Sequence, residues 1–201
     1  MTGIVDGLLD AMSRSAAHTY GGEPVSELEH ALQCAELAAT AAADDELVLA
    51  CLLHDVGRYF ADRSLLSDAT GSPEMAGQAA AGAWTRGHQE VGHDLLAPWV
   101  PARVAWCVGA HADAKRFLCA TESAYHAQLS PVSRHTLVLQ GGVMSPAEAA
   151  TFGAQPWAAD AVALRRWDDA AKIAGKPTPS LAAWEPLMRR YFVGTARRAP
   201  S

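Results

Sequence analysis

A histidine and an aspartate stand side by side, His54-Asp55, within the densely apolar run from Leu47 to Val56. A carboxylate is expensive to bury there unless it is paired or bound to a metal. Side chains one residue apart on a helix point about 100° apart. The pair can therefore grip one metal from two directions, or Asp55 can bridge two. In the plainer reading, Asp55 is a polar helix end that pairs with His54. His30, His88 and His111 stand singly in their own segments, and a lone histidine is more often a packed or exposed residue than a ligand. Taken in chain order, His30, His54-Asp55, His88, His111 and Asp168 form a set of nitrogen and oxygen donors. Such a set suits iron, manganese, zinc or magnesium and disfavours thiolate-seeking metals. Two spacings add cations: His111 and Lys115 at i and i+4, and Arg165 and Asp168 at i and i+3, each pair sharing a helix face. A metal centre beside Lys and Arg is suited to an anion such as phosphate or phosphonate; the plainer alternative is a solvated face with ion pairs.

The elements that must position these residues read as helices. Ile4, Val5, Leu8, Leu9 and Met12 share one face of a helix over 1–17, and Thr19-Tyr20-Gly21-Gly22 breaks it. Pro24 suits the first turn of the next helix, and Ser26 with Glu29 has capping-box spacing. That helix is expected to run to about Ala42 with Leu28, Leu32, Ala35 and Ala39 in register. Asp44 or Asp45 caps a buried helix from Leu47 to Val56, which Gly57 is expected to stop. Residues 61–82, rich in Ser, Ala, Gly and Asp, read as a long loop or lid. Further helices are expected from Trp84 to Leu96, from Pro101 to about Leu118, from Pro131 to Gly141-Gly142, briefly from Pro146 to Ala150, from Pro156 to Ala174, and from Leu181 to Phe192. The last residues read as a frayed tail. The sum is an all-α domain of seven to nine helices spanning 1–201.

Composition narrows the rest. A chain of 201 residues holds one domain or at most two small ones, and with half of its residues apolar it is globular. The formal net charge of −6 leaves no basic excess for a nucleic-acid partner, although local cations could still hold a small anion. Cys34, Cys51, Cys107 and Cys119 lie at wide spacings with no CxxC pair, so a zinc ribbon is excluded and the thiols read as small core residues. No basic segment followed by an apolar core opens the chain, and no apolar run reaches about 18 residues. Neither a signal peptide nor a membrane span is therefore expected, and the cytoplasm is the default location.

Several longer stretches resemble a known family. They are Tyr20-Gly21-Gly22-Glu23 through Leu28-Glu29-His30-Ala31-Leu32, Leu52-Leu53-His54-Asp55-Val56-Gly57, and His88-Gln89-Glu90-Val91-Gly92. With them stand His111-Ala112-Asp113-Ala114-Lys115-Arg116-Phe117-Leu118, Ser133-Arg134, Gln140-Gly141-Gly142-Val143-Met144 and Arg165-Arg166-Trp167-Asp168. Over roughly 18–172 this pattern is similar to the phosphonate-degrading branch of the HD-domain mixed-valence di-iron oxygenases. A bare HD motif is weak evidence; the Lys-Arg-Phe-Leu and Gln-Gly-Gly-x-Met segments are far more specific. The resemblance implies a helical bundle around two irons, Fe(II)/Fe(III), with O2 as co-substrate. One iron would take His30, His54, Asp55 and Asp168; the other would take Asp55 as a bridge, with His88 and His111. Tyr20 matches a tyrosine that ligates the second iron until substrate displaces it, and Glu23 an acid that closes over the substrate and its amino end. Lys115, Ser133 and Arg165 match a phosphonate clamp. The family often carries a histidine at the end of HDxGH where this chain has Arg58, a permanent cation with longer reach that would also face the substrate. His18, His93, His126 and His135 match no ligand position and read as surface or structural residues.

The implied activity is oxidative cleavage of the C–P bond of a 1-hydroxyalkylphosphonate, foremost 2-amino-1-hydroxyethylphosphonate to glycine and phosphate, with the 2-trimethylammonio analogue as the alternative. A metal-dependent HD phosphohydrolase would share His30, His54, Asp55 and Asp168 and use a metal-activated water. His88, His111 and Tyr20 favour two irons instead.

Overall fold

A computed structural model of the chain describes residues 3–61 and 87–193. The helices are α1 (Ile4–Ser15), α2 (Glu27–Thr40), α3 (Asp45–Leu53), α4 (Val56–Ala61), α5 (His88–Leu96), α6 (Ala102–Thr121), α7 (Tyr125–Gln128), α8 (Pro131–Leu139), α9 (Pro146–Gly153), α10 (Ala158–Ala170) and α11 (Leu181–Tyr191). The described architecture is all-α, with a single antiparallel bridge between Thr19 and Ser26. Of the loop expected over 61–82, Ala61 ends α4 instead; the rest of it, the start of the helix expected at Trp84 and the tail after Val193 lie outside the described residues. Among the described residues no helix is long and apolar enough to cross a membrane.

Two helices, α3 and α6, form the centre. Leu47 through Leu53 are all buried, so α3 has no solvent face and is enclosed by its neighbours. Along α6, buried residues from Val104 to Leu118 occur on several faces of the helix. Helices α3, α5, α8, α9 and α10 all pack on it. Cys34, Cys51 and Cys107 are buried free thiols and Cys119 is half-buried, as the apolar surroundings of the first three imply.

The capping box of α2 forms as its spacing predicts: Ser26 N donates to Glu29 Oε2 (2.7 Å) and Glu29 N to Ser26 Oγ (3.2 Å). The helix consequently starts at Glu27, and Pro24 lies ahead of it rather than in its first turn. Near the end of α2 the buried position is Ala38, and Ala39 is exposed.

Three boundaries depart from the expected ones. Gly57 does not stop a helix. The break falls one turn earlier, at His54-Asp55, and Gly57 lies inside α4. A Cβ on Gly57 would stand 2.0 Å from His88 O and 2.7 Å from Gly92 N, so its bare backbone is what lets α5 approach and bring His88 in. Helix α10 ends at Ala170 instead of continuing to Ala174. His30 Nδ1 donates to Ala171 O (2.7 Å), and Gln33 bonds Ile173 twice, Nε2 to Ile173 O (2.8 Å) and Oε1 from Ile173 N (3.1 Å). These bonds to α2 compete with the next helical turn. Helix α9 starts at the expected Pro146, where Ser145 and Glu148 form a second capping box, and runs on past Ala150 to Gly153 with buried Phe152 packed against Phe117 and Trp106. The short helices α4 and α7 raise the described count above seven to nine.

Replacing Gly57 by Ala forces the α4–α5 contact apart. We expect a loss of about 1–3 kcal/mol, the cost of overpacking a tight core. Chemical denaturation of the metal-free protein measures it.

Candidate metal centre

The break at His54-Asp55 turns two neighbouring side chains into one buried site. His54 caps α3, Asp55 follows, and α4 leads away. His30 comes from the N-terminal end of α2, His88 from the first position of α5, His111 from α6 and Asp168 from the last turn of α10. His30, His54, Asp55, His111 and Asp168 are all buried.

The two oxygens of Asp55 face two groups. Oδ2 lies 3.4 Å from His54 Nε2 and 3.8 Å from His30 Nε2. Oδ1 lies 3.0 Å from His88 Nε2 and 3.8 Å from His111 Nε2. Asp168 joins the first group, its Oδ1 3.4 Å from His30 Nε2 and its Oδ2 4.0 Å from His54 Nε2. Within each group the imidazoles meet nitrogen to nitrogen, His30 with His54 and His88 with His111, both pairs at 3.1 Å.

Backbone carbonyls select the ligating nitrogens. His30, His54 and His111 each turn Nδ1 to a carbonyl oxygen, of Ala171 (2.7 Å), Cys51 (2.8 Å) and Val108 (2.7 Å). A carbonyl can only accept, so Nδ1 carries the hydrogen and Nε2 offers its lone pair to the centre. Ligands about 2.1 Å from one ion and at right angles to each other are about 3 Å apart, close to the observed nitrogen–nitrogen distances. Asp55 Oδ2 and Asp168 Oδ1 are buried and accept no hydrogen bond in the described structure. Orphaned carboxylate oxygens facing imidazole lone pairs are what a pair of cations would satisfy, so the donor set fits two metal ions sharing Asp55. The clusters His30–His54–Asp55 and Asp55–His88–His111 are each tight enough to hold an ion.

The electrostatics hold the two carboxylates ionised and His111 neutral. At His54, by contrast, burial is outweighed by Asp55 and Cys34, which raise its pKa, so a metal at its Nε2 would displace a proton. Burial works against the charge of Asp55, but His54 and then His88 hold its carboxyl well below the usual range. Burial likewise opposes ionisation of Asp168, and Arg165 outweighs it; Arg165 Nη1 donates to Asp168 Oδ2 at 2.6 Å. Burial, with help from His88, pulls His111 down to about 3 and keeps it neutral.

A small cavity of about 40 Å³ opens beside the second group, and Tyr20, Glu23, Arg58, Lys115, Ser133 and Arg165 line it with His88, His111 and Asp168. All twelve site residues expected from the sequence therefore lie in or around one centre. Tyr20 comes from a compact turn in which its N–H bonds Val25 O (2.9 Å) and Glu23 N bonds Tyr20 O (2.8 Å). Gly21 and Gly22 take the positive φ values of 55° and 91° that this turn requires. The Tyr20 ring stacks on His30 with centroids 3.7 Å apart. Burial first, and then Asp168 and Asp55, hold its phenol well above the ordinary range and so neutral. Lys115 Nζ donates to Thr136 Oγ1 (2.7 Å) and, at 3.3 Å, to Ser133 O. Burial, helped by Arg165, lowers its pKa to about 8.

Some contributors escaped the sequence. Glu27 holds Arg58 in a fork, with Nε 2.9 Å and Nη2 2.7 Å from Oε1; at the first turn of a capped helix it reads as a dipole residue. Asp169 and Tyr125 brace Arg165 from the side away from Asp168. Lys172 also lines the cavity; within the helix expected to run to Ala174 it carried no local signal. Of the histidines outside the site, His93 bonds Asp94 at the surface (2.9 Å), and His126 and His135 are exposed.

Because both groups depend on Asp55, we expect Asp55→Ala to remove both metals, while a single substitution of His88 or His111 leaves the first group able to bind. Metal stoichiometry on purified variants distinguishes these; two ions retained by Asp55→Ala would remove the bridge.

Comparison with known proteins agrees with this geometry. The HD domain family model matches residues 28–131, which takes in His30, His54, Asp55, His88, His111 and Lys115. The chain is 40% identical over 163 residues to the hydroxymethylphosphonate dioxygenase of Gimesia maris, covering 81% of this chain and 76% of that protein. It is 34% identical over 188 residues to the glycine-betaine-forming [1-hydroxy-2-(trimethylamino)ethyl]phosphonate dioxygenase of Leisingera caerulea, covering 93% and 89%. A helical bundle whose histidines and aspartates converge in the order His, His-Asp, His, His, Asp, with these relatives, places the chain in the HD-domain family, alongside its phosphonate dioxygenases.

Proposed function

We propose that this chain is a di-iron oxygenase that uses O2 to cleave the C–P bond of a small 1-hydroxyalkylphosphonate. The observation that carries the reading is the shared carboxylate: Asp55 turns one oxygen to His30 and His54 and the other to His88 and His111. Next to that pair of groups lies an anion pocket with Lys115 and Ser133. Both named relatives act on phosphonates with a hydroxyl on the carbon that bears phosphorus, which supports the same substrate class here. One hydroxyalkylphosphonate and one O2 balance to one carboxylic acid and one phosphate.

His30, His54, Asp55 and Asp168 would hold one iron, and Asp55, His88 and His111 the other. When bound, an Fe(II)/Fe(III) pair supplies activation of O2 and the oxidation at C1 that makes phosphate a competent leaving group. The chain's own residues do the rest. Lys115 and Ser133 hold the phosphonate oxygens, so that C1 faces the shared carboxylate and the departing phosphate leaves onto cations. Arg165 keeps Asp168 ionised and adds positive charge behind Ser133, to whose Oγ its Nη2 comes within 3.5 Å. Tyr20 covers His30 on its cavity side with a neutral ring, which limits water around the first group.

Two outcomes follow. Iron-loaded protein with a hydroxyalkylphosphonate should consume one O2 per phosphate released and show a mixed-valence EPR signal. Phosphatase activity that ignores O2, with one zinc or manganese per chain, would overturn the reading. The pH dependence should follow Lys115. It clamps phosphonate only when protonated, and its pKa near 8 places the loss within the working range. In the wild type, kcat/KM, which reports the free enzyme, should fall as pH rises through about 8. Lys115→Met should lower it by about tenfold or more, the cost of one charge-assisted contact, and should lack that alkaline fall.

A further inference from the structure

Among the described residues, four cations line the cavity: Arg58, Lys115, Arg165 and Lys172. They differ in what already holds them. Arg58 is forked onto Glu27, and Arg165 is shared between Asp168 and Asp169. Lys115 and Lys172 instead make their direct hydrogen bonds to uncharged groups. Lys115 reaches Thr136 and the Ser133 carbonyl, and Lys172 Nζ reaches Ser133 Oγ at 3.2 Å. The two lysines therefore meet at Ser133 from α6 and from the segment after α10, and the carboxylates nearest Lys172 Nζ, Glu23 Oε1 and Asp169 Oδ1, each stand off at 3.9 Å, beyond hydrogen-bond reach.

The backbone fixes Lys172 in that position. Its neighbours on both sides are tied to α2, Ala171 through His30 and Ile173 through Gln33. Its side chain lines the cavity, with Nζ 3.9 Å from both Glu23 Oε1 and Asp169 Oδ1 and 6.0 Å from the centre of the Tyr20 ring. Glu23 Oε1 is buried and accepts no hydrogen bond in the described structure. A carboxylate so placed would draw a cationic substituent on the substrate, but Lys172 already stands against it.

Resting on the phosphonate oxygenase reading, we propose that Lys172 is a substrate-binding and specificity-determining residue. It joins Lys115 at the phosphonate, and by balancing Glu23 it fits the site to a small hydroxyalkylphosphonate with no cationic substituent. An ammonium at C2 would have to displace Lys172 from Glu23 and then sit beside it. A compound that ends at C1 meets neither cost and gains both lysines. The site is thereby matched to the hydroxymethyl end of the substrate class, not to the amino compound that the sequence resemblance brought forward.

The test compares hydroxymethylphosphonate with 2-amino-1-hydroxyethylphosphonate on iron-loaded protein. Binding is read by calorimetry under argon, and kcat/KM by phosphate release in air. The wild type should favour hydroxymethylphosphonate by about tenfold or more. Lys172→Met should weaken its binding by about tenfold and move the preference toward the amino compound, whereas Lys172→Arg should keep the wild-type preference. Adding Glu23→Gln to Lys172→Met should abolish the gain for the amino compound. Equal losses on both compounds in Lys172→Met, or a wild type that prefers the amino compound, would overturn the role of Lys172 and leave the oxygenase reading standing. A wild type that binds and cleaves neither would overturn both.

Discussion

The structure depends on one buried carboxylate. Asp55 lies within reach of four imidazoles and is almost wholly withdrawn from water. An unpaired charge in that position would be prohibitively costly, and imidazole lone pairs do not offset it, so the surrounding helices have to bring donors that would hold compensating cations. They do so from four directions. Helix α2 brings His30, the end of α3 brings His54, α5 brings His88 and α6 brings His111. Each helix is in turn fixed by what its histidine does with its other nitrogen or by how closely its backbone can approach. The carbonyls of Ala171, Cys51 and Val108 orient three of the rings, and the bare backbone of Gly57 admits the fourth.

The second layer of charge lies around the cavity. Positive groups outnumber what a solvent-filled pocket would require, and they divide by role. Arg165 has its carboxylate partners on its own helix and serves to keep Asp168 ionised against burial. Arg58 is paired with Glu27 and lies over the Tyr20 ring, 5.0 Å from its centre. It therefore links the Tyr20 turn, the start of α2 and α4 as well as facing the cavity. On the proposed reading, the two lysines at Ser133 would carry the charge that an incoming anion meets. Permanent guanidinium pairs give the frame, and the less rigidly paired ammonium groups would give the binding surface.

The fold and the centre were legible in different ways. Apolar periodicity and capping chemistry marked most helices, because caps and stripes are local signals. The Ser26–Glu29 box, the buried α3 and the Pro-led α8 follow from residues close together in the chain. The donor set was also legible, since the types and order of His30, His54-Asp55, His88, His111 and Asp168 are properties of the sequence itself. The boundaries that failed were those set by distant partners. Helix α10 stops at Ala170 because α2 takes the carbonyl of Ala171 and the backbone of Ile173, some 140 residues away. Gly57 looked like a helix stop because its chain neighbours carry no trace of His88.

By itself, then, the sequence determined an all-helical chain, the chemical identity of its candidate metal donors and the presence of cations spaced to share faces with them. Those follow from residue type and from the 3.6-residue period. Only the tertiary structure decided which oxygen of Asp55 faces which pair of histidines, and which cations keep charge for a ligand. It also turned Lys172 from a helix-end residue into a wall of the cavity. Each of these depends on distances between groups far apart in the chain, and electrostatic partnership is settled by those distances, which no local spacing encodes.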